Sequence, residues 1–238
     1  MKQDDMEKEK KKCSGTYLED SHSDIYPESV KEESGYYVAT KKKQGEYTIE
    51  DYRKLPEDER AELIDGTIYD MAAPLSVHQL LASKIYSSLA GYIEKNQGAC
   101  IPMFAPVDVQ LDQDDKTMVQ PDLMIVCDRK KLTRQGVFGA PDFIIEILSE
   151  STRKKDSYLK LMKYQKAGVR EYWLVDPKGK KVIVYDFEAE VTPSIYGFSS
   201  KVPVGIFKGE CEVDIWIYRS GTCTDIRWKM CGRFFTDL

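Results

Sequence analysis

The run FIIEIL, residues 143–148, constrains this chain more than any other stretch. Five of its six residues are apolar, and its length between GAPD and SEST is that of a strand rather than a helix. The exception is Glu146, in the middle. An ionised carboxylate in an apolar run is costly to bury unless something pairs with it. Side chains alternate along a strand, so Ile144, Glu146 and Leu148 share one face while Phe143, Ile145 and Ile147 share the other. Taken alone, Glu146 reads either as a strand carboxylate paired with an Arg or Lys, or as a ligand.

A second acid stands in a similar position. Pro121-Asp122 opens the apolar strand LMIVC, about two dozen residues before Glu146. If the two strands are neighbours, Asp122 and Glu146 converge at one edge of the sheet. Two carboxylates that close repel unless a cation lies between them. Mg²⁺ or Mn²⁺ suits such a site, because hard cations take oxygen ligands. A metal so held lowers the pKa of a bound water and stabilises charge on a phosphate oxygen. A nearby lysine could orient or deprotonate that water. Lys160 is the best placed, on the helix after the Glu146 strand, with Asp156 and Tyr164 at i−4 and i+4 along one side.

The rest of the chain supplies a scaffold. Residues 1–45 form a charged leader of low hydrophobicity, read as disordered or loosely attached. Thr48 caps a short helix through IEDYRKL, and ELIDGTIYDM reads as a hairpin around Asp65-Gly66. Residues 76–96 carry Val77, Leu80, Leu81, Ile85, Leu89 and Ile93 at helical spacing. FAPVDVQL, VQPDLMIVC and PDFIIEIL read as three strands. Ser151 or Thr152 caps a helix that Gly168 stops. REYWLVDP and GKKVIVYDF form a further hairpin, and VGIFKGECEVDIWI adds a strand or a second hairpin. Helices between strands give an α/β class on a mixed sheet flanked by helices, with the domain over 46–217 and an unassigned tail over 218–238.

Composition narrows the partners. No apolar run approaches the roughly 20 residues of a membrane helix, and the first dozen residues lack the apolar core of a secretory signal, so a cytoplasmic location is expected. Six cysteines form no CxxC pair and there are only two histidines, so free thiols are expected rather than a zinc site or a disulfide framework. Net charge is −5, which argues against indiscriminate nucleic-acid binding. Residues 153–181, however, hold ten Lys/Arg against three Asp/Glu, so one face could be basic. No G-x-G-x-x-G follows a strand, and a Rossmann-type nucleotide site fits poorly.

From about residue 47 to 187 the chain resembles the Uma-two-type restriction endonuclease family, within the PD-(D/E)XK nuclease superfamily. The matching stretches are ELIDGTIYDM, the Pro-x-x-x-His of PLSVH, VQPDLMIVCD, GAPDFIIEILSEST, RKKDSYLKLMKYQKAGVREYWLVDP and VIVYDF. The resemblance implies a restriction-endonuclease-like core and divalent-metal hydrolysis of DNA. It matches Asp122 to the aspartate of the PD motif, Glu146 to the second metal-binding acid, and Glu62 to the acid near the start of the core, which implies that Glu62 helps Asp122 and Glu146 to bind the metal. The superfamily pattern puts a lysine two residues after the second acid, where this chain has Leu148; Lys160 is the residue that fits the displaced role.

Other polar residues carry plainer readings. Asp65 is a turn residue, Asp142 a structural acid, His78 a capping or structural histidine, and Lys163 a weaker competitor of Lys160. The expectation is a Mg²⁺- or Mn²⁺-dependent endonuclease acting on DNA, in which a homodimer would suit double-strand cutting. The alternatives are a nuclease-fold module that binds DNA or a protein through the basic 153–181 segment, and a metal-dependent hydrolase of another phosphate ester.

Overall fold

A capping box starts the first element. In the computed structural model, which describes residues 42–56, 59–111, 114–189 and 192–215, Thr48 accepts from the Asp51 N–H and the Asp51 carboxylate accepts from the Thr48 N–H, opening α1, Ile49–Tyr52. The hairpin β1, Ala61–Ile64, and β2, Thr67–Asp70, turns through Asp65 at φ 50° and Gly66 at φ 74°. Only glycine fits at 66, because a Cβ there would collide with the carbonyl of Gly45. Gly45 in turn donates its N–H to the Gly66 oxygen at 2.8 Å, so residues 42–45 of the expected leader are tied to this hairpin. The remainder of that leader, and the tail from 216, lie outside the described residues.

Next comes α2, Ser76–Lys95, which buries Val77, Leu81, Ile85, Leu89 and Ile93 on one stripe. Two segments expected as single strands are each divided. FAPVDVQL contributes the end of β3, Ile101–Phe104, then turns at the cis Ala105–Pro106 peptide into β4, Val109–Gln110. VQPDLMIVC gives β5, Met118–Val119, and, beyond Pro121-Asp122, β6, Leu123–Val126. In both, the two halves belong to different sheets. Proline has no N–H for a ladder, and each break falls at one.

The chain continues through β7, Leu132–Thr133, β8, Gly136–Phe138, and β9, Phe143–Ile147. The expected single helix after β9 has a π-helical segment, Lys155–Lys160, running into α3, Leu161–Ala167, which stops at Gly168 with φ 92°. The hairpin of β10, Glu171–Asp176, and β11, Lys181–Asp186, follows. β12, Ser194–Gly197, and the small hairpin of β13, Lys201–Pro203, with β14, Glu212–Asp214, complete the described part.

The strands make two six-stranded mixed sheets, β2-β1-β5-β4-β8-β7 and β12-β11-β10-β9-β6-β3. In the second, β9 runs parallel to β10 and antiparallel to β6. The stripe of α2 packs on one face of this sheet, against Leu123, Ile125, Phe143, Ile145, Ile147, Trp173 and Val175. Tyr164 of α3, with Ile64, Val109 and Val119 of the first sheet, covers the other face, against Met124, Val126, Ile144, Leu148, Tyr172 and Leu174. Glu146 has the parity of this second face. Both sides of β9 are therefore dry, and all five of its residues are buried.

Free thiols were expected throughout, but Cys100 and Cys127 form a disulfide. The ladder pairs Ile101 with Val126, so the two cysteines face each other one step outward on β3 and β6. Their 27-residue separation left no local motif to reveal this. Cys211 is free and buried.

Candidate active site

The β6–β9 register creates the site. Leu123 pairs with Ile145, so the next residue outward, Asp122, comes opposite Glu146. The Ile147 N–H donates to Asp122 Oδ2 at 2.7 Å, which ties the loop acid to the strand carrying the second acid. Pro121 ends the ladder here, and both carboxylates line a cleft of about 1080 Å³. The convergence expected from strand parity is what the structure shows.

Glu146 lies in a sealed polar pocket. Its Oε1 accepts from Lys160 Nζ at 2.7 Å and from the Tyr164 hydroxyl at 2.7 Å. Asp156 Oδ1 lies 3.6 Å from the same ammonium and is buried without a hydrogen bond. Thus Lys160 and Tyr164 of the i, i+4, i+8 set meet on Glu146, while Asp156 faces Lys160. Leu148 is packed in the apolar layer, with its N–H on the Val175 carbonyl, and leaves the ammonium to come from α3's side.

The π-helical segment has a local consequence. With i→i+5 bonding, residues five apart lie closer to one side of the helix than in an α-helix, and such segments recur at functional sites. Lys155 and Lys160 thereby reach one carboxylate. Lys155 Nζ is 2.7 Å from Glu62 Oε2, and Lys160 Nζ is 2.7 Å from Glu62 Oε1. The Gln120 N–H also donates to Glu62 Oε1, at 3.1 Å. Glu62 comes from β1 in the other sheet and is fully buried. Lys160 therefore bridges the two sheets between Glu62 and Glu146.

The charges differ in how well they are supported. Burial alone would raise Glu62, but Lys160 and then Lys155 outweigh it and hold the carboxyl below its ordinary range. Burial lowers Lys160, yet Glu146, Glu62 and Asp156 overcome it and keep the ammonium firmly protonated. Glu146 goes the other way. Burial pushes it well above the carboxylate range, Lys160 opposes, and Asp122, Asp156 and Glu62 add to the rise. Burial likewise raises Asp156. The ion pair is thus Glu62 with its two lysines, and Glu146 is the acid whose charge is least supported.

These residues fit a divalent cation in a spare form. Among the described residues, no three His, Cys, Asp or Glu side chains are gathered as a preformed metal cage. Mg²⁺ does not need one, since it usually takes one or two carboxylates plus waters and substrate phosphates. Asp122 Oδ1 and Glu146 Oε2 accept no hydrogen bond from a described residue, while their companion oxygens do.

Of the other polar residues singled out in the sequence, Lys163, Asp65 and Asp142 do not line the cleft, and His78 does. Lys163 pairs with Asp65 of the turn. Asp142 is at the far end of β9, where it accepts from the Cys127 N–H and meets Arg170 at 3.4 Å. Much of the basic run is neutralised internally: Arg153 forks onto Asp176 at 2.9 Å, and Lys178 pairs with Glu150 at 2.6 Å. His78 was read as structural, yet its Nε2 lies 3.0 Å from Asp122 Oδ2 at the cleft. The signal available in sequence was its place in the first turn of α2, in the PLSVH stretch.

Comparison with known proteins gives the family and the fold. Residues 49–203 match the Uma2 family, described as "Putative restriction endonuclease". The chain belongs to this family. Its fold is also similar to a crystal structure described as a "putative nuclease belonging to DUF820" from Anabaena variabilis, with a TM-score of 0.59 and 24% identity over 71% of this chain and 94% of that one. No curated protein matches the chain. Family membership makes this a nuclease-type chain with a mixed α/β core, and the cleft at Asp122 and Glu146 lies within the matched segment. No helix among the described residues is long and apolar enough to cross a membrane.

Proposed function

We propose that the protein is a divalent-metal-dependent endonuclease that hydrolyses DNA phosphodiester bonds. The observation that carries this is the placement of Asp122 opposite Glu146 on neighbouring strands, each with one uncommitted oxygen at a cleft. Asp122 and Glu146 would hold Mg²⁺ or Mn²⁺, which would stabilise negative charge on the scissile phosphate and lower the pKa of a water there. Lys160 is kept protonated, so its part is that of a donor, orienting the water or meeting a phosphate oxygen. Glu62, implied by the resemblance as a third acid, holds Lys155 and Lys160 in place, since both its oxygens are engaged by them. Tyr164 fixes the rotamer of Glu146 through Oε1.

The test is cleavage of supercoiled plasmid with Mg²⁺ or Mn²⁺. Nicking or linearisation is expected from the wild type and not from Asp122→Ala or Glu146→Ala. Cleavage that survives both substitutions overturns the assignment. Calorimetry separates the alternative of a catalytically silent binding module: no Mn²⁺ uptake at millimolar concentration favours the module. That alternative is weakened by the ion pairs that occupy Arg153, Lys155, Lys160 and Lys178 of the basic run.

A further inference from the structure

The structure assigns to His78 the positioning of Asp122. This rests on the nuclease reading above and adds a residue to it. His78 is the third residue of α2, the helix that packs on the face of the sheet opposite to Glu146. The first turn of α2 reaches the strand end, and His78 Nε2 comes to 3.0 Å from Asp122 Oδ2. The Ile147 N–H donates to the same oxygen at 2.7 Å. Two donors on Oδ2 fix the plane of the carboxylate and leave Oδ1 as the free ligand atom.

The second ring nitrogen identifies the tautomer. His78 Nδ1 is buried and has no hydrogen-bond partner. A buried N–H without an acceptor is the rarer and costlier orphan, so the proton belongs on Nε2, the nitrogen that has a partner. The imidazole then donates Nε2–H to the carboxylate. His78 is only 17% exposed and Asp122 15%, so the bond forms at the cleft wall with little competition from water. Hydrogen-bonded partners of ligating carboxylates usually matter by about 10–100-fold in metal affinity. Asp122 is otherwise anchored only through the backbone of β9, which fixes its distance from the strand but allows the carboxylate to rotate.

The experiment measures Mn²⁺ affinity by calorimetry and the Mn²⁺ concentration for half-maximal plasmid cleavage, in wild type, His78→Leu, His78→Asn and His78→Gln. Leucine removes the donor, and asparagine places its amide one bond short of the Nε2 position. Both should raise the dissociation constant and the half-maximal metal concentration by about 10–100-fold. Excess Mn²⁺ should return much of the maximal rate, because the ligand itself is still present. Glutamine carries an amide N–H at the Nε2 position and should recover most of the affinity. Thermal unfolding checks each variant, and the leucine and asparagine variants serve as independent readouts should one fail to fold. Wild-type affinity in a folded His78→Leu or His78→Asn protein overturns the proposal alone. A wild type that neither binds Mn²⁺ nor cleaves DNA overturns the nuclease reading and this proposal with it.

Discussion

The two carboxylates of the cleft sit in unlike surroundings. Glu146 is surrounded by Lys160, Tyr164 and Asp156 in a dry pocket and has lost support for its charge to burial. Asp122 stands at the end of its strand, 15% exposed, held by one backbone N–H and one imidazole. The difference teaches that both acids line the cleft, but only Glu146 is also bound into the buried ion-pair network that joins the sheets. Substitutions should separate accordingly: on the Asp122 side they change chemistry and spare stability, and on the Glu146 side they change both.

The largest expected effect is chemical. Asp122→Asn keeps the shape but removes the charge at the open side. We expect at least about 10³-fold slower plasmid cleavage, since a metal ligand supplies several kcal/mol and 1.36 kcal/mol is a factor of ten. Thermal stability should change little. A variant that loses its fold together with its activity would show that the two sides are one structural unit.

Next in size is Lys160→Ala, on the sealed side. It removes the ammonium between two buried carboxylates, which stays within 2.7 Å of both. Breaking a buried pair from one side typically costs about 3–5 kcal/mol, because the partner charge is left uncompensated. Urea unfolding measures it. Lys160→Ala should be much less stable than Asp122→Asn, and adding Glu146→Gln should restore part of the loss. Equal stabilities would remove the distinction between the two halves.

Sequence reasoning reached one side of this comparison better than the other. Strand parity and the Pro121-Asp122 step, with the resemblance, singled out Asp122 and Glu146; that their strands are neighbours comes from the β6–β9 register. Helical spacing sufficed for Asp156, Lys160 and Tyr164. The π-helical segment was not legible. KDSYLK is compatible with an ordinary α-helix, and the partner its lysines share, Glu62, is 93 residues from Lys155 in sequence. The split strands follow the same logic: FAPVDVQL and VQPDLMIVC look continuous in apolar content, and the transfer between sheets occurs at Pro106 and Pro121. His78 was legible only as a helix-start residue; its bond to Asp122 spans 44 positions.

Leu148→Lys tests why the lysine left the strand. It restores the residue expected two places after Glu146, but into a site that is 5% exposed and packed among apolar side chains. A lysine stem fits poorly there and its ammonium would compete with Lys160 for the same acid. A destabilisation of about 1–3 kcal/mol is expected, with no recovery of activity in a Lys160→Ala background. Recovery would show that the cleft accepts a cation from either side, and that α3 is not needed to present it.

The smallest effect lies at the cleft rim, where an ion pair is half open to water and serves as a contrast to the sealed one. Arg153 forks onto Asp176, and this hydrogen bond, against the opposing effect of burial and helped by the Gly179 N–H, holds the Asp176 carboxyl below its usual range. A depressed carboxylate stabilises the fold above its unfolded pKa of about 3.9, and that contribution disappears as pH falls through the lower folded value. Arg153 is 39% exposed, so solvent screening limits the pair to about 1 kcal/mol or less. The stability gap between wild type and Arg153→Ala should therefore be flat from pH 7 to about 5 and close in more acidic buffer. Urea unfolding across that range measures it, and added salt should shrink the gap at neutral pH. A gap that persists in acid would mean that the Arg153 stem acts by packing along the cleft wall, and that charge matters to this protein's stability only on the sealed side.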